Sequence, residues 1–276
     1  MTQGISSSDY LLGSTDAEHQ RLIRQATRLA PVTERFFRDA GIGPGQRVLD
    51  LGSGVGDVAM LVARLVGPSG EVVGIERETR SITRARARAA EAGMRNVTFT
   101  QSDVAQFSSD KSFDAAVGRY ILQFLPDPVA VLRSVVAKVR AGGTIAFQEG
   151  SWAPFVLLSR HLPLWSASVL LLHEAGIRSG VNLEMGLALY KVFQEAGLPA
   201  PRMRLEMELG HDEDFTRWVS DALKSVFPQI QKLNLSYHAL GDLDTLQERL
   251  QSEVASSSSV VPWIGLVAAW CRKPSH

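Results

Sequence analysis

The spacing of apolar and polar positions changes along the chain, and the changes divide it. Leu22, Ile23, Ala26, Leu29 and Ala30 recur at helical spacing. Pro31 predicts a break between that helix and a second one over Val32–Ala40. The breaker cluster Gly41-Ile42-Gly43-Pro44-Gly45 leads into a short apolar strand, Val48–Leu51, and glycines separate it from an apolar helix over Val58–Val66. A strand over Glu71–Ile75, a helix over Ser81–Ala92 and a strand over Val97–Gln101 follow. A fourth strand with its exit covers Phe113–Tyr120, then an amphipathic helix over Val129–Arg140 and a strand over Thr144–Gln148. In the Ser81–Ala92 helix, Ala85, Ala89 and Ala92 form the inward face, and Arg80, Arg84, Arg86 and Arg88 read as a solvated outer face. Strands alternate with helices, and no proline falls inside a strand. This predicts an α/β fold with a parallel, doubly wound sheet.

After Glu149 the alternation stops. Residues 151–182 are crowded with large apolar side chains, among them Trp152, Phe155, Trp165 and Leu170. The stretch is too long for a plain connection and predicts one or two helices capping the top of the sheet as a lid. A helix then runs from about Asn182 to Glu195, and the alternation over Arg202–Leu209 predicts a sixth strand. Asp212-Glu213-Asp214 opens a helix reaching about Asn234, with its acids suited to the helix dipole. Another helix is expected over Asp242–Glu253, a flexible serine run over Ser256–Ser259, and a last strand over Val261–Cys271. The expected organisation is a helical arm over 1–40, a ligand-binding core over 41–150, a lid with the sixth strand over 151–255 and a closing strand over 256–276.

Composition narrows the classes. The 276 residues are 45% hydrophobic, as in a globular protein. Lys+Arg and Asp+Glu both number 29, so the chain lacks the basic excess of a nucleic-acid binder. The single cysteine, Cys271, excludes a disulfide within the chain or a multi-cysteine metal site, and no His/Cys/carboxylate group stands at ligand spacing. The opening MTQGISSSD has no basic and apolar signal pattern, and apolar runs such as Ser166–Leu172 are short of a membrane span. A cytoplasmic protein is expected, with no membrane partner.

The chemistry concentrates after the first strand. Asp50-Leu51-Gly52-Ser53-Gly54-Val55-Gly56-Asp57 places three glycines at alternate positions between a strand and a helix. Glycine allows a tight turn and close approach of a ligand to the backbone, and the helix N-terminus offers free amides. A dinucleotide fingerprint would read G-x-G-x-x-G, and Asp57 stands where its third glycine would be. Glu76 ends the second strand, 20 residues after Gly56 and beside Arg77, where an acid can accept hydrogen bonds from ribose hydroxyls.

The G-x-G-x-G loop with Asp50 before it resembles motif I of the class I S-adenosylmethionine-dependent methyltransferases. Ser102-Asp103-Val104 after the third strand resembles that family's adenine site, in which the acid accepts from the adenine amino group. The run from Asp114 through Gly118-Arg119-Tyr120-Ile121-Leu122-Gln123 to Pro128 resembles the UbiE-like methyltransferases of ubiquinone and menaquinone biosynthesis. The resemblance implies a Rossmann-like seven-stranded sheet with an antiparallel last strand. It implies that Gly118 and Arg119 pass the methionine part of the cofactor, and that Tyr120 and Gln123 face the acceptor. Residues 10–25 resemble the cofactor-covering arm of small-molecule methyltransferases, with Tyr10 and Gln25 near the cofactor. The implied activity is methyl transfer from S-adenosylmethionine to a small, aromatic or apolar, quinone-like or secondary metabolite.

Transfer from a sulfonium needs alignment more than catalytic groups, because the cofactor carries the hard chemistry. Glu149, at the end of the fifth strand, and His173, in the lid, are the candidate bases, with His161, Glu174 and Tyr120 considered beside them. Trp152 and Trp165 are candidates to face an apolar acceptor, and a homodimer contact is a second use for the apolar lid. The absence of an N-P-P-Y tetrapeptide after the fourth strand disfavours methylation of DNA bases or protein glutamine, and the lone cysteine disfavours arsenite. The rival readings are a fold of this family used for cyclisation or decarboxylation, a nicotinamide dehydrogenase and a binding module without turnover.

Overall fold

The computed structural model describes residues 15–104 and 106–275. Its first helix, α1 (Asp16–Asp39), runs through Pro31 without a break, where the sequence predicted two helices. Pro31 lies on the exposed side, while Leu29, Val32, Phe36 and Phe37 continue one buried face across it. A proline inside a helix costs about 3 kcal/mol. Each fully buried large apolar side chain returns roughly 1.5–3 kcal/mol, so the face outweighs the local defect.

Then come β1 (Arg47–Leu51), α2 (Asp57–Val66), β2 (Glu71–Glu76), α3 (Thr79–Glu91), β3 (Val97–Gln101) and β4 (Phe113–Arg119). A 3-10 turn over Leu122–Phe124 precedes α4 (Pro128–Lys138) and β5 (Val139–Ser151). The helix thus stops two residues before the expected Arg140, and the strand begins before the expected Thr144. The glycines Gly142 and Gly143 lie inside the strand as an irregularity: pairing with β4 jumps from Phe113–Val139 to Ala115–Thr144, and Gly142 has φ 71.

The remaining elements are α5 (Ala153–Leu158), α6 (Pro163–Arg178), α7 (Met185–Glu195), β6 (Arg202–Glu206), β7 (Leu209–Gly210), α8 (Glu213–Lys232), α9 (Leu246–Ser256), β8 (Val261–Pro262) and β9 (Gly265–Arg272). Two expected strands are each divided. Leu209 and Gly210 leave the Arg202 strand to pair antiparallel with Pro262 and Val261 in a separate two-stranded sheet. Pro262 has no N–H with which to continue a ladder, and the main sheet resumes at Gly265. The expected helix from Asp242 begins at Leu246, after a 3-10 turn over His238–Leu240. The serine run is an ordered helix end: Ser257 and Ser259 donate to the carbonyls of Glu253 and Val254, and Ser258 has φ 47.

The described chain forms two compact units. One holds Leu22–Glu149, Met185–Leu205 and the end of the chain from Val267. It is built on the seven-stranded sheet, in the order β3-β2-β1-β4-β5-β9-β6. Strands β1 to β5 pair in parallel and the last strands run antiparallel. Successive residues of β1 serve opposite faces. Val48 joins a cluster with Phe36, Val62 and Ala85 beneath α1, α2 and α3, and Leu49 joins one with Leu132, Phe147 and Phe193 beneath α4 and α7. The order in which strands join the sheet reverses between β1 and the parallel β4, which places a crevice at the carboxyl ends of those two strands.

The other unit holds the start of α1 up to Arg21, Gly150–Glu184 and Glu206–Leu266. It is mainly helical, with α6 and α9 packed on α8 and Phe155, Trp165, Val219 and Leu250 fully buried. Two of its helices start on carboxylates from distant parts of the chain. Glu184 accepts from the N–H groups of Trp152 and Ala153 ahead of α5, and Glu253 from those of Leu164 and Trp165 at α6.

Candidate functional site

In the sheet unit, the loop from β1 to α2 turns through Gly52, Gly54 and Gly56, with φ of 61, 52 and 90. Only glycine adopts such angles without strain. Two of the three are also packed tightly. A Cβ on Gly52 would lie 2.5 Å from Cδ1 of Ile121, and one on Gly56 would lie 2.9 Å from Phe99. Gly54 differs, because nothing among the described residues lies within 4 Å of where its Cβ would be. Its N–H donates to Glu76 Oε2 at 3.0 Å. The other oxygen of Glu76 accepts from the N–H groups of Arg77 and Glu78, at 2.8 and 3.0 Å. The second-strand carboxylate is therefore fixed by three backbone donors next to open space, while the Arg77 side chain is exposed.

Asp50 is buried, and its Oδ2 has no hydrogen-bond partner among the described residues; neither has the buried Ser53 Oγ. Burial pushes the Asp50 carboxyl well above the usual carboxylate range, against the opposing pull of the Arg119 guanidinium. Asp57 is the first residue of α2, but its carboxylate pairs with Arg88 at 2.7 Å, and Arg88 also donates to the Val55 carbonyl at 2.6 Å. Arg88, read from the sequence as part of a solvated face, thus pins the glycine loop to α3.

At the end of β4, Arg119 Nη1 donates to Thr33 Oγ1 at 2.9 Å, and the Thr33 hydroxyl donates to Gln148 Oε1 at 2.8 Å. Burial lowers the Arg119 pKa from its ordinary value, against the pull of Asp57 and other anionic groups. Tyr120 follows with φ 55, unusual for a residue with a side chain. Its N–H donates to the Gln148 carbonyl at 3.0 Å. Ile121 and Leu122 donate their N–H groups to Glu149 Oε1, at 2.9 and 2.8 Å. Glu149 is wholly buried, and burial raises its pKa to about 7 despite those bonds. Gln123 is buried, with Oε1 lacking a partner among the described residues.

After β3, Ser102 donates its N–H to the Glu76 carbonyl, and Asp103 is exposed, its carbonyl accepting from Gln106 and Phe107. Val104 packs against the cluster beneath α4. Gln25 is half-buried in α1, and Tyr10 lies outside the described residues.

In the helical unit, Trp152 is half-buried, with Phe155 and His173 at ring-centroid distances of 5.6 and 6.2 Å. The aromatic series continues from Phe155 to Trp218 and Trp263, at 5.3 and 4.9 Å. Trp165 departs from the expectation that it faces an acceptor. It is fully buried, and its indole N–H donates to Ser159 Oγ at 3.2 Å, so it packs the interior of this unit. Glu174 pairs with Arg178, and His161 lies 2.6 Å from Ser259 Oγ. Among the described residues no group of three metal-ligating side chains occurs, and no helix is long and apolar enough to cross a membrane.

Sequence reasoning passed over Thr33, Gln148 and Ile121. Each acts through a contact that only the fold creates; Ile121 lies in the run after the fourth strand, but nothing in that run marks its contact with Gly52.

The arrangement can be compared with known proteins. A family described as a methyltransferase domain matches residues 42–197. Over 111 residues the chain is 31% identical to the arsenite methyltransferase of Halobacterium salinarum, covering 40% of this chain and 28% of that one. Over 133 residues it is 32% identical to the ubiquinone/menaquinone biosynthesis C-methyltransferase UbiE of Pseudomonas paraeruginosa, covering 48% and 52%. Over 105 residues it is 39% identical to the aklanonic acid methyltransferase DauC of a Streptomyces species, covering 37% and 47%. The chain spans about half or less of the length of each of these relatives. The solved structure of the YcgJ protein of Bacillus subtilis shares the fold, with a TM-score of 0.56 at 16% identity over 87% of this chain and 96% of that one.

Proposed function

The chain belongs to the class I, UbiE-like methyltransferase family, and on that premise we propose that it transfers a methyl group from S-adenosylmethionine to a small organic acceptor. The observation that carries the reading is the Glu76 carboxylate, held by the Gly54 N–H beside the open space at that glycine. A fixed acceptor pair at the end of the second strand suits a ribose diol. The remaining residues are proposed for the rest of the cofactor. The backbone of Gly52, Ser53, Gly54 and Gly56 would allow its close approach, with Asp50 and Asp57 beside it. Asp103 and the N–H of Val104 would serve the adenine, with Ser102 and Arg77 at its edge. Gly118 and Arg119 would lie along the amino-acid end, and Tyr10 and Gln25 would cover it.

When bound, S-adenosylmethionine supplies a methyl group already activated by its sulfonium. The protein's part is then to align the acceptor and exclude water. Tyr120, Gln123 and Trp152 are proposed to contact the acceptor, and His173, beside Trp152, to take up a proton where the acceptor atom carries one. The half-buried Trp152 favours an apolar or aromatic acceptor, in keeping with the quinone and aklanonic acid named for two relatives. The lone buried Cys271 disfavours arsenite. A cytoplasmic location, a homodimer and the lack of a nucleic-acid partner complete the reading. The exposed Leu157, Leu158 and Ile177 supply an apolar surface for the dimer.

Calorimetry with S-adenosylhomocysteine and with NAD tests the cofactor. Binding of the first and none of the second is expected, and the reverse result rejects the reading. Mass spectrometry of quinone and polyphenol acceptors incubated with S-adenosylmethionine tests the reaction. A product heavier by one methylene unit supports transfer, whereas a rearranged product of unchanged mass points to the cyclisation alternative.

A further inference from the structure

The turn that leaves β4 is held in an uncommon shape. Tyr120 is left-handed, at an expected cost of about 1–2 kcal/mol. Such a conformation persists only where its surroundings over-determine it. The bonds that do so come from two consecutive residues of β5, the Gln148 carbonyl on Tyr120 and the Glu149 carboxyl on Ile121 and Leu122. The turn in turn sets Ile121. Its side chain occupies the space that a Cβ on Gly52 would enter at 2.5 Å and one on Gly118 at 2.9 Å. Ile121 is thus wedged between the glycine loop after β1 and the end of β4.

Glu149 has the chemistry of a strut. One oxygen already accepts two backbone N–H groups, the carboxyl has no exposure, and Oε2 has no partner among the described residues. Burial, opposed only by the N–H groups of Leu122, Ile121 and Gln123, brings its pKa to about 7. No charged side chain contributes. Of the titratable groups on the packed elements, Arg119 on β4 is bonded to Thr33, and Lys191 and Glu195 on α7 pair with each other. Arg133 and Lys138 on α4 bond to the Glu195 carbonyl and to Ser134. The nearest titratable neighbour along the turn, Tyr120, does not contribute to the carboxyl's shift either.

We propose that Glu149 is a positioning residue: its Oε1 locks the Tyr120–Leu122 turn, which seats Ile121 against Gly52 and so shapes the cofactor loop from the acceptor side. The inference rests on the functional reading above. A neutral carboxyl or an amide can do this work, since either leaves one oxygen to accept both N–H groups. A base must instead be ionised and reach the acceptor.

The test uses the full chain, S-adenosylhomocysteine calorimetry and thermal melts between pH 6 and 9. Glu149→Gln should bind S-adenosylhomocysteine within about threefold of the parent. Because the folded pKa lies above the unfolded one, the parent's Glu149 contribution to stability is present at acid pH and is lost as pH rises through 7. The Tm advantage of Glu149→Gln over the parent should therefore grow by a few degrees from pH 6 to pH 9. Glu149→Ala should weaken S-adenosylhomocysteine at least tenfold, and Ile121→Ala should reproduce that loss with Glu149 intact. A Glu149→Gln variant as weak as Glu149→Ala, or a Glu149→Ala variant with parental affinity, overturns the inference. If Glu149→Ala does not fold, Glu149→Gln and Ile121→Ala decide. A parent chain that fails to bind S-adenosylhomocysteine rejects the functional reading, and the inference with it.

Discussion

The two units carry their chemistry in different ways. In the sheet unit, the site is made from backbone groups and carboxylates that backbone groups hold. Three N–H donors fix Glu76, and two fix Glu149. In the helical unit, carboxylates cap helices, and the aromatic ring left half-buried is Trp152, at the head of a packed series of Phe155, Trp218 and Trp263. Fixed polar groups suit one invariant ligand, because backbone geometry changes little with sequence. Apolar side chains can be exchanged at a cost of about 1 kcal/mol when volume is kept, so the second kind of surface suits a variable acceptor. The comparison implies that damage to the sheet unit should show in cofactor affinity, and damage to the helical unit in acceptor affinity alone.

The sharpest way to break that division is Glu76→Ala. It removes two carboxylate oxygens proposed for the ribose and leaves the Gly54 N–H without its acceptor. Hydrogen bonds to a charged group are worth about 1.5–3 kcal/mol each, so the loss in S-adenosylhomocysteine affinity should be about a hundredfold. Calorimetry reads it directly. Affinity within a few-fold of the parent would remove the observation on which the cofactor reading stands.

A smaller loss is expected from Thr33→Val. The valine leaves the part-buried Arg119 Nη1 without its acceptor and the buried Gln148 Oε1 without its donor. An unsatisfied buried group costs about 1–3 kcal/mol, which should lower Tm and weaken S-adenosylhomocysteine by about tenfold. Thr33→Ser keeps the hydroxyl and should restore both. If serine fails where threonine succeeds, the methyl group matters and the hydrogen-bonded relay does not explain the effect.

Thr33 also shows where the sequence was readable. The order of strands, the glycine loop and the acid that ends β2 were legible because each is a local pattern: period-2 runs, punctuating glycines, a charge at a strand tip. Arg119 and Thr33 are 86 residues apart, and Thr33 and Gln148 are 115 apart, so no local pattern joins them. Local rules also misled where tertiary burial overrode them. Pro31 reads as a helix boundary, yet the buried face through Phe36 and Phe37 carries the helix past it. The lid was the least legible part. Trp152 and Trp165 look alike in an apolar run, and only the fold separates the half-buried ring from the one enclosed in the core. The helix-capping acids Glu184 and Glu253 read as ordinary charges, since the N–H groups they serve lie 31 to 32 and 88 to 89 residues away.

For the helical unit, Trp152→Ala should raise the KM of an acceptor found in the mass-spectrometric screen by about fivefold, as for an aromatic contact worth about 1 kcal/mol. The S-adenosylhomocysteine affinity should stay where it was. Its backbone N–H, which caps α5 through Glu184, is untouched by the change. A parallel loss of cofactor affinity would show that the two functions are not divided between the units as argued.

The smallest effect sharpens the comparison from within the sheet unit, at a carboxylate outside the proposed site. Asp114, in β4, accepts from the Arg47 N–H and from Arg140 Nε, both at 2.7 Å. Its partial burial pushes the pKa up, but those bonds and the two arginine charges outweigh it and hold the carboxyl below the usual range. A lowered folded pKa means that the stabilisation is present above the unfolded value of 3.8 and fades as pH falls through the folded one. Asp114→Asn should therefore lower stability at pH 7 by below about 1 kcal/mol, given solvent screening, with the difference closing in acid. S-adenosylhomocysteine affinity should not move. If it does, cofactor affinity follows the general stability of the sheet, and the losses expected for Glu76 and Thr33 lose their local meaning. If it does not, a carboxylate at the amino-terminal half of β4 and one at the carboxyl end of β2 will have been separated by function within a single sheet.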